Sequence, residues 1–235
     1  MIYCISDIHG CYNEFMELLE LIKFGGEDTL YVLGDVIDRG DASVKCLQFI
    51  MKNPNIKMLM GNHELMMLEA LTLQDEEARQ EMFELWHYNG GGRTYSEFKA
   101  LAEGEQQEML DFLQKLPFYY VLKERSKKYF LVHAGLDCSN RKPREHLMTT
   151  IKRQKMEHPC DLVWIREKFM WAKALPSYTV IFGHTSTSRI PSHRRPLIWH
   201  DLNHKDKIGI DCGCYGGGRL AALRLDDMKE FYVQA

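Results

Sequence analysis

Two rhythms of apolar and polar positions run along the chain. Residues 2–6 form a short apolar run that stops at Asp7-Ile8-His9-Gly10. Residues 13–24 then place Phe15, Leu18, Leu19 and Ile22 at helical spacing. A second apolar run, 29–33, stops at Gly34-Asp35. Asp41 is placed to cap a helix that carries Val44, Leu47 and Ile50 and closes before Pro54. A third run, 56–60, stops at Gly61-Asn62-His63-Glu64. Strand, polar turn and helix, repeated in that order, predict α/β organisation with a partly parallel sheet.

From 64 to 116 the pattern changes. The stretch is acidic, Met-rich and helical in period, broken by Gly90-Gly91-Gly92, and it predicts a helical cap or insertion. Strands dominate afterwards, at 118–123, 129–133, 179–182, 197–202, 207–211, 219–225 and 230–234. Asp226-Asp227-Met228-Lys229 joins the last two as a hairpin. Residues 138–160 are polar, basic and poorly periodic, the pattern of a surface loop or short helix.

A chain of 235 residues, 1–235, suits a single domain carrying such an insertion. Lys plus Arg is 30 and Asp plus Glu 33, a net charge of −3, which gives no electrostatic sign of a nucleic-acid or membrane-surface partner. Arg194-Arg195 is a local basic patch at most. No run nears the roughly 18 apolar residues of a membrane span, and the N-terminus lacks a signal-peptide pattern. Seven scattered cysteines without a CxxC pair read as reduced thiols, so the expected location is the cytoplasm. Cys212-Gly213-Cys214 lacks the second pair that a zinc site needs.

The candidate chemistry sits where the apolar runs end. To the three clusters above, His133-Ala134-Gly135 and Gly183-His184-Thr185 add two more. Taken singly, an Asp-x-His-Gly or a Gly-His-Thr is most simply a turn with a surface histidine. Five in order, each closing a hydrophobic run, converge on one sheet edge, where ligands bind in open α/β folds. Carboxylate and amide oxygens mixed with imidazoles suit manganese, iron or zinc better than calcium.

These clusters resemble the signatures of the calcineurin-like metallophosphoesterases, and within them the phosphoprotein phosphatase branch: GDxHG, GDxxDRG, GNHE, HAG and GHT. Ser6 stands where the first signature usually has Gly. The motifs cover residues 6–185. Trp86 through Gly92 and Trp164-Ile165-Arg166-Glu167 are also similar to the small bacterial and phage serine/threonine phosphatases.

The resemblance implies a four-layer α-β-β-α fold, a central β-sandwich flanked by helices. It implies two divalent ions, manganese by family expectation, with iron–zinc pairs fitting the same donors. Asp7 and His9 would hold the first ion, Asp35 would bridge, and Asn62, His133 and His184 would complete the second. His63 would be the general acid, oriented by Asp38. Arg39 and Arg166 would clamp phosphate oxygens. Glu64 reads as a helix N-terminal carboxylate, Tyr215 as part of a glycine-rich loop or a pocket wall, and Cys11 as packing.

The substrate so implied is a phosphoserine or phosphothreonine protein, or a small phosphoester. The symmetrical diadenosine tetraphosphate hydrolases are the alternative. Residues 209–214 and 232–234 resemble their tail, although they usually carry Ala where this chain keeps Asp38.

Overall fold

The computed structural model describes residues 1–138, 160–173, 177–191 and 193–235, together with Thr149 and Ile151. The expected loop at 138–160 therefore lies almost wholly outside the described residues.

Among the described residues ten strands form two five-stranded sheets. The first contains β1 (Ile2–Ile5), β2 (Thr29–Val32), β3 (Ile56–Met58), β9 (Arg219–Arg224) and β10 (Lys229–Gln234), ordered β10-β9-β1-β2-β3. The second contains β4 (Tyr119–Glu124), β5 (Lys127–Val132), β6 (Thr179–Phe182), β7 (Trp199–His200) and β8 (Lys207–Gly209), ordered β4-β5-β6-β8-β7. β1, β2 and β3 are parallel, as are β5, β6 and β8; β9 and β10 add antiparallel strands beside β1, and β4 and β7 are antiparallel to β5 and β8 at the edges of the second sheet.

Side-chain alternation explains the layering. Cys4, Tyr31 and Leu33 of the first sheet join Tyr129, Leu131 and Ile181 of the second in one buried cluster between the sheets. The alternate positions Tyr3, Ile5, Leu30 and Val32 face outward onto Phe15, Leu18 and Leu47 of the helices. Phe130, Val132, Val180 and Phe182 face outward onto Leu162 and Phe169. Every central strand is buried on both faces, which is why its sequence reads as a continuous apolar run. The arrangement is the four-layer α/β fold that the motifs imply.

Six helices accompany the first sheet: α1 (Tyr12–Leu21), α2 (Ser43–Lys52), α3 (Asn62–Thr72), α4 (Glu76–Trp86), α5 (Gly92–Lys99) and α6 (Glu103–Gln114). Two short ones, α7 (Asp161–Trp164) and α8 (Glu167–Met170), lie on the second. The helical stretch expected at 64–116 is α3 to α6. Its Trp86, Phe98, Met109 and Leu113 share the core of β1 and β2. Between α4 and α5 the chain kinks at Gly90, whose φ of 101° is left-handed.

Two expectations are corrected. Asp41 does not cap α2. Ala42 occupies the cap position without a side-chain bond, and Glu97 of α5 accepts the Val44 N–H at 2.9 Å instead. The strand expected at 197–202 shrinks to Trp199–His200 because the Asp201 carboxylate turns back onto the N–H groups of Asn203 and His204, a local turn that competes with the ladder. Among the described residues no helix is long and apolar enough to cross a membrane. All seven cysteines are free.

Candidate metal and phosphate site

The five sequence clusters come together at the carboxyl ends of β1, β2, β3, β5 and β6. Of the twelve described non-glycine residues with positive φ, six lie there: Asp7 (53°), His9 (47°), Asp35 (54°), Asp38 (74°), Arg39 (69°) and His184 (61°). Each such residue costs on the order of 1–3 kcal/mol, so the surroundings must over-determine these loops.

They do so through backbone bonds. The N–H groups of Asp7, His9 and Gly10 donate to the carbonyls of Gly34, Asp35 and Val36 at 3.1, 3.0 and 2.8 Å. Glu64, fully buried at the start of α3, accepts from the N–H groups of Asp35 (2.8 Å), Val36 (2.8 Å), Ile37 (3.3 Å) and Gly61 (3.1 Å). One carboxylate thus pins the Asp35 loop to the helix that starts at Asn62. A side chain at Gly61 would put its Cβ 2.3 Å from Asp35 Oδ1, so glycine is required.

The helical block reaches into the same site. The Asp38 N–H donates to Ser43 Oγ at 2.8 Å and Thr94 Oγ1 at 3.1 Å. The Arg39 N–H donates to the Gly90 carbonyl at 3.2 Å. Trp86 Nε1 donates to Asp38 Oδ2 at 2.8 Å. The same oxygen accepts from His63 Nδ1 at 2.6 Å.

The imidazoles are oriented from outside. His9 Nδ1 donates to the Ile37 carbonyl (3.0 Å) and His133 Nδ1 to that of Leu33 (2.7 Å), which turns both Nε2 atoms inward. Asp35 stands between them. Its Oδ2 is 3.7 Å from His9 Nε2 and 3.9 Å from His63 Nε2; its Oδ1 is 3.4 Å from His133 Nε2. Asn62 Oδ1 lies 3.0 Å from His133 Nε2. His184 is buried, and among the described residues its Nε2 has no hydrogen-bond partner. Asp7 accepts from the His184 N–H through both oxygens, at 3.1 and 3.0 Å, and from the Ser6 hydroxyl.

Arg39 fills the centre, donating from Nη1 to His9 Nε2 at 2.7 Å and from Nη2 to His63 Nε2 at 2.9 Å. Arg166, exposed between α7 and α8, donates to the His184 carbonyl at 2.8 Å. Both guanidinium groups line a groove of about 610 Å³ that also includes His9, Asp35, His184 and Asp211.

A calcineurin-like phosphoesterase family model matches residues 1–216. The chain belongs to the calcineurin-like phosphoesterases.

The phosphoesterase is 25% identical to a symmetrical bis(5'-nucleosyl)-tetraphosphatase of Nitrosospira multiformis, across 99% of this chain and 95% of that protein. It is 26% identical to serine/threonine-protein phosphatase 1 of Salmonella typhimurium, across 95% and 91%. Among solved structures, a candidate diadenosine tetraphosphatase superposes with a TM-score of 0.64 at 19% identity, covering 100% of this chain and 93% of that one. A cold-active protein tyrosine phosphatase gives 0.57 at 17%, covering 98% and 78%. These two likenesses establish the shared fold alone.

The phosphoesterase's donor set fits bound cations. Two triads, His9–Asp35–His63 and Asp35–His133–His184, each bring ligand atoms within 4.8 Å of one another, and Asp35 belongs to both. Burial pushes the Asp7 and Asp211 carboxyls up, Asp7 well above the usual range, and raises Glu64 to about 7, with neighbouring carboxylate charge adding in each case. Burial lowers His9 to about 3 and His184 well below its ordinary value, so both imidazoles keep the neutral form that ligates a metal. For Asp35 burial acts upward, but the charge of His133 and then His63 holds it well below the carboxylate range. His133 is raised to about 9 against burial, chiefly by Asp35. The shared Asp35 carboxylate and a buried His184 nitrogen without a hydrogen-bond partner among the described residues are donors that suit divalent cations.

Several contributors escaped the sequence reading. Asp211 follows β8 as the other clusters follow their strands, and the same signal marks it. Trp86, Thr94 and Ser43 carry no comparable signal, because their partners lie far away in sequence. Asp7 lies in the site but outside both triads, its oxygens turned to His184 and Ser6.

Proposed function

We propose that this phosphoesterase cleaves dinucleoside tetraphosphates symmetrically. The observation that carries the reading is the groove of about 610 Å³, far larger than one phosphoryl group, lined by Asp35 and by three guanidinium groups, Arg39, Arg166 and Arg189. A polyphosphate chain needs such an extended cationic channel. Full-length similarity to proteins named as symmetrical bis(5'-nucleosyl)-tetraphosphatases supports it.

In this reading Asp7, His9, Asp35, Asn62, His133 and His184 would hold two divalent ions, manganese foremost. When bound, such a pair supplies Lewis acidity to phosphoryl oxygens and lowers the pKa of water. The protein's own groups do the rest. Arg39 leaves the two imidazoles for the phosphoryl oxygens, and Arg166 grips from the other side. Once Arg39 moves, His63 Nε2 is free to carry a proton to the departing oxygen, while Asp38 and Trp86 hold the ring in place.

A second reading, hydrolysis of phosphoserine and phosphothreonine in proteins, is favoured by the His63–Asp38 pair. A serine alkoxide is a poor leaving group and depends on a proton donor, whereas a nucleoside diphosphate departs with little help. The Salmonella phosphatase similarity supports it. Assays with added Mn²⁺ on diadenosine tetraphosphate and on a phosphoserine peptide decide between them. The proposal predicts a higher kcat/KM on the dinucleotide, with ADP as the nucleotide product; a clear preference for the peptide would reverse the assignment.

A further inference from the structure

The groove is also lined by two walls that the catalytic chemistry does not use. One is the turn Ser186–Arg189, which includes a single 3-10 turn at Thr187–Arg189. The other is the glycine-rich loop 213–218, which carries Tyr215. Both are tied to Asp211: its carbonyl accepts the Thr187 N–H at 2.8 Å, and its Oδ1 accepts the Gly213 N–H at 2.8 Å. Thr187 is held again by its hydroxyl on the Arg195 carbonyl, at 3.1 Å. Gly213 has a φ of 72°, and a Cβ there would stand 3.0 Å from Ser186 Oγ, so the walls touch at their base.

Fixed walls present unspent groups. The Arg189 side chain is exposed and makes no hydrogen bond or ion pair among the described residues. It lies near enough to Arg166 for the two positive charges to repel, an arrangement that an anion between them relieves. Ser186 and Ser188 add hydroxyls 3.0 Å apart on the same wall. Tyr215 is 52% exposed, an aromatic ring left open at the groove's rim. Cation, hydroxyls and ring in sequence match phosphate followed by nucleobase.

We propose that Arg189 and Tyr215 form a second subsite, in which Arg189 takes a phosphate distal to the cleaved bond and Tyr215 stacks the adjoining nucleobase. The assignment rests on the dinucleoside-tetraphosphate reading and deepens it. Symmetrical cleavage leaves a nucleoside diphosphate on each side of the broken bond, so at least one side must be gripped beyond the reacting phosphorus.

The test compares kcat/KM on diadenosine tetraphosphate with kcat/KM on p-nitrophenyl phosphate, for wild type, Arg189→Ala, Tyr215→Ala and Tyr215→Trp. Loss of a stacked base corresponds to about tenfold, and loss of a charged phosphate contact to roughly 10–100-fold. The ratio between the substrates should therefore fall by those factors in the alanine variants and hold in Tyr215→Trp. A ratio unmoved in both alanine variants, whether or not overall activity drops, overturns the subsite and leaves the dinucleotide reading standing. A wild-type enzyme that turns over the aryl phosphate but not the dinucleotide refutes the reading itself and the subsite with it.

Discussion

His63 Nδ1 lies 2.6 Å from Asp38 Oδ2, and both side chains are completely buried. The bond holds the proton on Nδ1 and turns Nε2 toward Asp35 and the groove. A proton donor so placed matters in proportion to how badly the leaving group needs it. His63→Asn should lower kcat on an alkyl phosphate by roughly 10²–10⁴-fold and on nitrophenyl phosphate far less. Asp38→Asn should move the same way, since an amide no longer fixes the ring's tautomer. A plot of log kcat against leaving-group pKa should be steeper for both variants than for wild type. Parallel plots would remove His63 from the acid role.

Asp35 is the residue common to both triads, so its charge should govern cation loading more than that of any other side chain. Asp35→Asn should cut bound metal from two equivalents to one or fewer, measured by elemental analysis after gel filtration. Metal removal should also destabilise the wild type, because buried carboxylates then repel without a counter-charge. At ligand concentrations about a hundredfold above Kd the linkage amounts to ~2.7 kcal/mol. The melting temperature should fall on chelation and recover on adding Mn²⁺. Two tightly bound ions in Asp35→Asn would contradict its shared role.

Glu64 is placed to organise the loops rather than to react. Glu64→Ala leaves four buried N–H groups without their acceptor. At about 1–3 kcal/mol for a stranded buried donor, partly relieved by water, a loss of about 3–5 kcal/mol is expected. Urea unfolding of the metal-free proteins measures it directly. Glu64→Gln keeps one acceptor oxygen and should lose less.

Far from the site, Lys207 is buried against two acids, 3.1 Å from Asp201 Oδ2 and 2.7 Å from Asp206 Oδ1. Burial alone would raise the Asp201 carboxyl, but the charge of Lys207 beside it and the bonds from the Asn203 and His204 N–H groups hold it below its ordinary value. A carboxyl depressed in the folded state contributes stability above its unfolded pKa and loses it as pH falls through the folded value. Wild type should therefore lose more stability than Asp201→Asn as pH drops below about 4. At neutral pH the variant should be weaker by roughly 1.5–3 kcal/mol, toward the low end because Asp206 still pairs with Lys207. Unfolding midpoints at pH 7 and pH 3 give the comparison; an equal acid loss in both proteins would show that the pair is not the acid-labile element.

The parallel strands and the polar clusters at their ends were legible in the sequence because each depends on local pattern: an apolar run, then glycine and a donor. Asp211 obeys that rule too. What pattern could not reveal is pairing across long separations. Glu97 displaced Asp41 as the cap of α2 because tertiary packing brought α5 to the end of α2. The stretch 64–116 was readable as helical, yet nothing local tells that its Trp86, Thr94 and Gly90 bond to the Asp38-Arg39 loop.

Trp86 makes that dependence testable. Its ring belongs to the core, and its Nε1–H donates to Asp38 Oδ2, the oxygen that His63 Nδ1 also reaches. Trp86→Phe keeps most of the apolar volume and deletes one bond to a buried carboxylate, whose Oδ1 already lacks a partner. A hydrogen bond to a charged group is worth about 1.5–3 kcal/mol, which bounds the loss in stability. The kinetic signature is more specific. Without the Trp86 bond on its Oδ2, Asp38 orients His63 less well, so kcat on an alkyl phosphate should drop by about tenfold while kcat on nitrophenyl phosphate changes little. The double variant Trp86→Phe, His63→Asn should then be no slower than His63→Asn alone. Additive losses would mean that Trp86 acts through packing of the helical block and not through the imidazole.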